Sequence, residues 1–161
     1  MQAKRLDETI STDPMFAICK SMCNGYTGAQ VFYGLKSHMI NIYGFRRKGE
    51  FPQKYRDFIR DHGAPSALRR DNAKEEMSKE ITTINRELFV KDQWCEPHNP
   101  QQNPVDSRAI KYLKEHVHVL LDRVGAPDAD WFHAAQYLHY ANTWPDKTSV
   151  ENVCIKIVSL V

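Results

Sequence analysis

The chain has 161 residues, a length that suits one domain with a single hydrophobic core. Hydrophobic residues make up 42% and charged residues 26% of the chain, which predicts a soluble globular protein and excludes a low-complexity sequence. The formal net charge of +2 is too small to indicate nucleic-acid binding unless the basic residues are concentrated in one patch.

No apolar stretch in the sequence approaches the length that a membrane span requires, so no membrane partner is expected. Residues 1–10 are polar and mixed in charge, unlike a signal peptide, and we interpret them as a polar N-terminal extension. An intracellular protein with no targeting signal is therefore the expectation.

The first third of the chain predicts three strands in an antiparallel meander. Thr12–Cys19 contains the continuous apolar run Met15 to Ile18, which is typical of a buried strand. Ala29–Tyr33 and Met39–Tyr43 have strand composition, and the short connection Gly34–Ser37 suits a hairpin.

Helices and strands then alternate. The predicted elements are a helix from Phe51 to His62, a strand over Pro65–Arg70, a helix over Met77–Leu88, a strand over Val90–Cys95, a long helix that begins at Asn103 and ends before Gly125, and a helix over Asp130–Asn142. This order of elements predicts a mixed α/β sheet protein and not a doubly wound parallel sheet.

Three aspartates stand next to predicted strands or at a helix start: Asp13, Asp71 and Asp106. Each also has an ordinary structural interpretation, respectively a turn residue, a helix N-cap and an acid that favours the helix dipole. In an α-helix, Asp106 would lie on the apolar stripe of Ile110 and Leu113, where a carboxylate needs a cation or water to compensate its burial.

Three converging carboxylates suit phosphodiester chemistry. Two divalent cations held by shared carboxylates activate an oxygen nucleophile and stabilise the leaving oxygen. Magnesium prefers hard oxygen ligands and retains several waters, so three carboxylates can suffice to hold it.

Several blocks of this sequence resemble the catalytic core of retroviral-type integrases from LTR retrotransposons. The blocks are Thr12-Asp13, Gly25 to Gly34, Phe58 to Pro65, Leu68 to Ala73, and Glu96 to Pro104. The motif Pro100-Gln101-Gln102-Asn103 favours copia-type over gypsy-type elements. The matching region defines a core over residues 11–142, followed by an unmatched C-terminal tail over residues 143–161.

The resemblance implies a ribonuclease H-like α/β fold, with a five-stranded mixed sheet and helices on both faces. It implies that Asp13, Asp71 and Asp106 form the catalytic and metal-binding triad, with two Mg²⁺ or Mn²⁺ ions as cofactors. The implied activity is the joining of retroelement DNA 3′ ends to target DNA, in the nucleus and by a homo-oligomer.

Three features of this chain depart from the family pattern. The family's amino-terminal His/Cys zinc module and its carboxy-terminal DNA-binding region are not found in this sequence, which predicts a truncated or degenerate copy. The third acid is Asp106 where the family usually has glutamate, which shortens that ligand by one methylene. Pro14 directly follows Asp13, and proline is expected only at the first residue of a strand or on an edge strand.

Basic residues near the predicted site are candidate phosphate contacts, foremost Arg108, Lys111 and Lys114 on the helix that carries Asp106. Arg46 to Lys48 and the pair Arg69-Arg70 are further candidates, although a solvated surface is the simpler interpretation of each cluster.

Other interpretations of the whole chain remain open. A ribonuclease H-like nuclease would use the same metal site, and a non-catalytic DNA- or protein-interaction domain derived from a mobile element would need no metal. Cys19 and Cys23 could begin a zinc site with His98, His116 and His118, but the spacing is unusual and reduced thiols are expected.

Overall fold

The computed structural model describes residues 4–70, 75–94 and 105–143. Five strands form one mixed sheet: β1 (Thr9–Phe16), β2 (Gly28–Gly34), β3 (Ile40–Phe45), β4 (Ala67–Arg70) and β5 (Lys91–Trp94). Four helices cover it: α1 (Phe51–His62), α2 (Glu75–Glu87), α3 (Lys111–Val124) and α4 (Trp131–Thr143). Short 3-10 turns lie at Lys48–Glu50 and Asp128–Asp130, and a π-helical turn spans Val105–Ile110. Within these described ranges, no helix is both long and apolar enough to cross a membrane.

The strand order in the sheet is β3-β2-β1-β4-β5, which makes β1 the central strand. The first three strands form the predicted antiparallel meander, and β4 pairs in parallel with β1 on one side and with β5 on the other. The predicted five-stranded mixed sheet with helices on both faces is thereby confirmed.

Each face of the sheet has its own hydrophobic core because side chains alternate along the strands. On one face, Met15 and Val31 pack beneath the π-helical turn, α3 and α4. On the other face, Phe32 packs beneath α1 and α2 and stacks on Phe58, with 4.5 Å between the ring centroids. All seven residues of β2 are buried, as expected for a strand that is covered on both faces.

Strand β1 begins at Thr9 and ends at Phe16, three residues earlier than predicted at each end. The prediction followed the apolar run through Ile18, but Ile18 is 97% exposed and lies beyond the strand. Polar Ser11 and Thr12 are buried instead, and the Thr12 hydroxyl donates to the Val31 carbonyl oxygen at 2.9 Å. The chain before β1 also contacts the core, since the backbone N–H of Leu6 donates to the carbonyl of Ala64 at 2.8 Å.

Pro14 is the sixth residue of the central strand, so the expectation that proline would begin a strand or lie on an edge strand is wrong. The described pairs between β1 and β4 end at Ser11, whereas Pro14 pairs with Gln30 of β2. The proline therefore lies beyond the part of the pairing between β1 and β4 that the structure describes.

Gly28 begins β2 at a point where the sheet leaves no room for a side chain. A Cβ atom there would lie 2.4 Å from the Met15 carbonyl oxygen and 2.7 Å from the Phe45 ring. We expect Gly28→Ala to lower the free energy of unfolding by about 1–3 kcal/mol, the usual cost of overpacking. Urea denaturation measures this. Gly49→Ala is the control, because its Cβ would meet nothing within 4 Å, and an equal loss in both variants would contradict the steric explanation.

Candidate functional site

Asp13 lies in the second half of the central strand and is partly buried. Alternation along β1 places it on the same face as Met15, which packs in the core beneath the π-helical turn and α3. The carboxylate is therefore on the sheet face that also carries the turn with Asp106.

Of the predicted triad, the structure describes the side chain of Asp13 alone. Asp71 lies outside the described residues, directly after β4. Asp106 lies in the described π-helical turn Val105–Ile110, but the position of its side chain is not described. The triad of Asp13, Asp71 and Asp106 and its metal ions therefore remain predictions.

The register of the sheet nevertheless relates two of the three positions. Arg69 of β4 pairs with Ser11 of β1 in parallel. Asp13 and Asp71 each follow one member of this pair by two residues.

The turn that carries Asp106 differs from the predicted α-helix. It is π-helical, with wider turns, and among its described side chains Val105, Ala109 and Ile110 are buried. The prediction that Asp106 shares a stripe with Ile110 and Leu113 assumed α-helical spacing, so that argument for its inward orientation no longer holds. The sequence hints at this turn only by its apolar spacing: Ala109 and Ile110 follow Val105 by four and five residues.

A buried polar network holds the end of β4. Arg70 is 5% exposed, and its guanidinium donates to Asp92 Oδ1 at 3.2 Å and to Thr82 Oγ1 at 3.1 Å. The same Asp92 oxygen accepts from Asn85 Nδ2 at 2.8 Å, and Tyr55 donates to Asn85 Oδ1 at 2.8 Å. The network thus links β4 and β5 to α1 and α2.

Electrostatics in this network reflect burial. Desolvation lowers the pKa of the Arg70 guanidinium and the charge of Asp92 opposes that shift. Desolvation also raises the pKa of Tyr55, assisted by Asp92, so the phenol stays protonated and donates its hydrogen bond. Trp94 covers the guanidinium, whose central carbon lies 4.1 Å from the ring centroid.

Arg69 and Arg70 were candidate phosphate contacts, and the structure contradicts this for Arg70, whose side chain is buried among protein partners. Arg69 is partly buried and donates to Gln93 Oε1 at 3.2 Å. Strand alternation places consecutive residues on opposite faces, so the sequence already indicated that the pair could not project together.

Arg108, Lys111 and Lys114 are all exposed on the continuous helical segment formed by the π-helical turn and α3. Lys111 Nζ lies 3.9 Å from Glu115 Oε1, and this exposed ion pair contributes little to stability. Lys114 also lines an apolar groove of about 270 Å³ between α3 and the end of β1, opposite Phe16. Of these three cations, Lys114 is therefore the one that the structure shows next to the end of β1.

The proposed zinc ligands are not brought together in the described part of the chain. Cys19 is partly buried, Cys23 is exposed, and His98 lies outside the described residues. Among the described residues, no three His, Cys, Asp or Glu side chains are arranged to hold a metal ion. Asp71 and the Asp106 side chain lie outside this described part.

A second cleft, of about 530 Å³, lies beside edge strand β3 between α1 and α4 and was not expected from the sequence. It contains His62 and His139, whose pKa values are lowered mainly by burial. Tyr43 donates to Asp61 Oδ2 there at 3.0 Å. The acids of the cleft are already paired, since Arg60 contacts both Asp57 and Asp61.

No family model matches the sequence, and a search of the curated proteins finds no match. The structure is similar to a chain in the cryo-EM structure of the simian T-cell lymphotropic virus intasome in complex with PP2A regulatory subunit B56 gamma. The two share 18% sequence identity and a TM-score of 0.60 over 84% of this chain and 51% of that chain. This chain thus spans about half the length of its structural neighbour. The likeness establishes the fold, which is ribonuclease H-like.

The Arg70 network makes a prediction about stability. Arg70→Met would leave Asp92 partly buried without its charge partner, and we expect the free energy of unfolding to fall by about 3–5 kcal/mol. Urea denaturation with a matched variant, Arg60→Met, tests this, because Arg60 pairs with acids on the surface of α1 and should matter far less. Equal losses in the two variants would show that the buried pair has no special role.

Proposed function

We propose that this chain is a DNA strand-transfer domain of the integrase type, which joins retroelement DNA 3′ ends to target DNA. The observation that carries the proposal is the placement of Asp13 on the central strand of a ribonuclease H-like sheet, on the face covered by the turn that contains Asp106. The motif Pro100 to Asn103 supports a copia-type LTR retrotransposon as the source.

The sheet register supports the participation of Asp71. Extended chain advances about 3.3 Å per residue, so Asp13 lies about 7 Å along the strand from the paired residues Ser11 and Arg69. Asp71 is separated from Arg69 by the same number of residues, so we expect it within reach of Asp13 if the chain stays extended. On the other side, buried Val105 packs in the core that includes Met15, and it directly precedes Asp106.

The donor set suits magnesium or manganese. Asp13, Asp71 and Asp106 would offer carboxylate oxygens, the ligands that these hard cations prefer. When bound, two such cations supply an activated oxygen nucleophile and a stabilised leaving oxygen. Asp106 is one methylene shorter than the glutamate of the resembling family, so we expect Mn²⁺ to serve better than Mg²⁺, which is stricter about its geometry.

DNA is the proposed partner. Arg108, Lys111 and Lys114 are exposed on the helical segment that begins with the Asp106 turn, so they can contact phosphates next to the acids. The structural neighbour is part of an intasome, which supports the proposal that this chain also acts on DNA as an oligomer. We propose in addition that the oligomer is a homo-oligomer and that it acts in the nucleus.

We expect millimolar Mn²⁺ to raise the melting temperature of the protein, because a bound cation relieves the repulsion among three carboxylates. Asp13→Asn and Asp71→Asn should reduce this gain, whereas Asp122→Asn, at an exposed acid near the end of α3, should keep it. Thermal melts with and without Mn²⁺ measure the effect. An unchanged melting temperature in the unmodified protein would count against the metal site.

Activity is tested on a branched DNA that reports the reversal of strand transfer, which demands least of an isolated core. Rejoined strands that appear with Mn²⁺ and disappear in Asp71→Asn support the proposal. Cleavage without joining would favour the ribonuclease H-like nuclease. DNA binding with no reaction and no response to Mn²⁺ would favour the non-catalytic interaction domain.

A further inference from the structure

Three consecutive cations project from the segment between β3 and α1. Arg46, Arg47 and Lys48 are exposed, and Phe16, at the end of β1, lies beside them with 51% of its surface exposed. We call these four residues the basic-aromatic patch. It belongs to the end of the sheet that follows Asp13, and its Phe16 also lines the groove that Lys114 of α3 lines.

The backbone of the patch is held in place by neighbouring groups. Arg46 donates from Nε to the Asn24 carbonyl at 3.0 Å, and the Thr27 hydroxyl donates to the Arg46 carbonyl at 2.9 Å. The Glu50 carboxylate accepts the backbone N–H groups of Arg46 at 3.4 Å and Arg47 at 3.1 Å. The segment is therefore ordered before any ligand arrives, which lowers the entropic cost of binding.

Arg47 and Lys48 are exposed residues, whereas the Arg46 guanidinium donates to the Asn24 carbonyl. Neither Arg47 nor Lys48 forms an ion pair with any residue in the described ranges. Glu50, the nearest acid in sequence, is engaged by backbone N–H groups. The patch therefore presents positive charge that a chain of phosphates could neutralise.

Phe16 is an unusual residue to leave half exposed on a strand. Its ring packs edge-on against Phe45, with 5.7 Å between centroids and 72° between planes, so the ring is braced from one side. Lys48 Nζ lies 5.1 Å from the centroid of the Phe16 ring. A braced aromatic ring beside cations is the combination with which proteins bind single-stranded nucleic acid, by base stacking together with phosphate contacts.

We propose that the basic-aromatic patch binds an unpaired stretch of DNA: one base stacks on the Phe16 ring in place of Lys48 Nζ, and Arg47 and the displaced Lys48 contact adjacent phosphates. Phe16 lies three residues beyond Asp13, about 10 Å along the strand and, by strand alternation, on the opposite face of the sheet, so a frayed end bound there would pass around the end of β1 to reach the proposed acids. The inference rests on the proposed function in taking DNA as the ligand, but it requires neither metal nor reaction.

Fluorescence anisotropy with a labelled single-stranded oligonucleotide in EDTA tests the proposal. We expect Phe16→Leu, which removes the ring and keeps an apolar side chain, to weaken binding about fivefold or more, since one stacked base contributes that much. Phe16→Tyr should bind as the unmodified protein does. Ile18→Ala, at another exposed apolar residue near the end of β1, is the matched control and should also leave binding unchanged.

The charge component is tested with the double variant Arg47→Gln, Lys48→Gln. Its affinity should fall, and the slope of log affinity against log salt should decrease by about 1.4, the value for two lost contacts to a single strand. Arg123→Gln, at an exposed cation near the end of α3, is the control. Circular dichroism establishes that each variant is folded.

Two results would overturn the proposal: single-strand affinity unchanged in folded Phe16→Leu, or an unchanged salt slope in the double variant. A polyglutamate peptide that binds as tightly as the oligonucleotide would overturn it as well, since the patch would then recognise negative charge alone. These outcomes are independent of the metal site, because all binding is measured in EDTA. Failure of the Mn²⁺ melts would affect only the proposed function.

Discussion

Strand β1 is hydrogen-bonded on both sides, antiparallel to β2 and parallel to β4, and the rest of the structure depends on this pairing. The antiparallel partner fixes which residues of β1 face each core, because a slip of one residue would exchange the faces. The parallel partner brings Arg69 beside Ser11, and with it the chain that leads to Asp71. This pairing fixes the sheet face on which Asp13 lies and its partner on β2, Val31.

The end of β4 is stabilised by buried polar groups, although apolar side chains of similar volume would avoid the cost of desolvating a charge. Burying the Arg70 guanidinium is costly, and the cost is offset by Asp92, Thr82 and the ring of Trp94 together. Removing one partner leaves the others buried and unpaired, so such a network tolerates few arrangements of its strands. We infer that it fixes the position of the chain that continues into Asp71.

Much of the fold could be predicted from periodicity. Helix α1 matches its predicted range because Phe51, Tyr55 and Phe58 repeat at helical spacing and Gly63 ends the helix with a positive φ of 107°. The predicted range of β1 was displaced by three residues because Ser11 and Thr12 are polar and resemble loop residues, yet both are buried. The buried Thr12 hydroxyl is satisfied by hydrogen bonds with Val31 and Gln30 of β2. The π-helical turn was missed because apolar spacing alone does not distinguish it from the start of an α-helix.

The site was less accessible to sequence reasoning than the fold. The placement of Asp13 at a predicted strand also fitted an ordinary turn residue, and the resemblance to integrase cores was needed to favour a catalytic role. The inward direction of Arg70 depends on the face of β4 that α2 covers, and the exposure of Phe16 depends on where β1 ends. These are tertiary facts, and a pattern along the chain does not contain them.

Crystals of the protein soaked in Mn²⁺, with data collected at the manganese absorption edge, test the central proposal most directly. We predict two anomalous peaks about 4 Å apart, with oxygens of Asp13 and Asp71 as ligands and Asp106 completing the set. Manganese found only at other sites, with the Asp13 carboxylate directed away from Asp71, would contradict the integrase-type site.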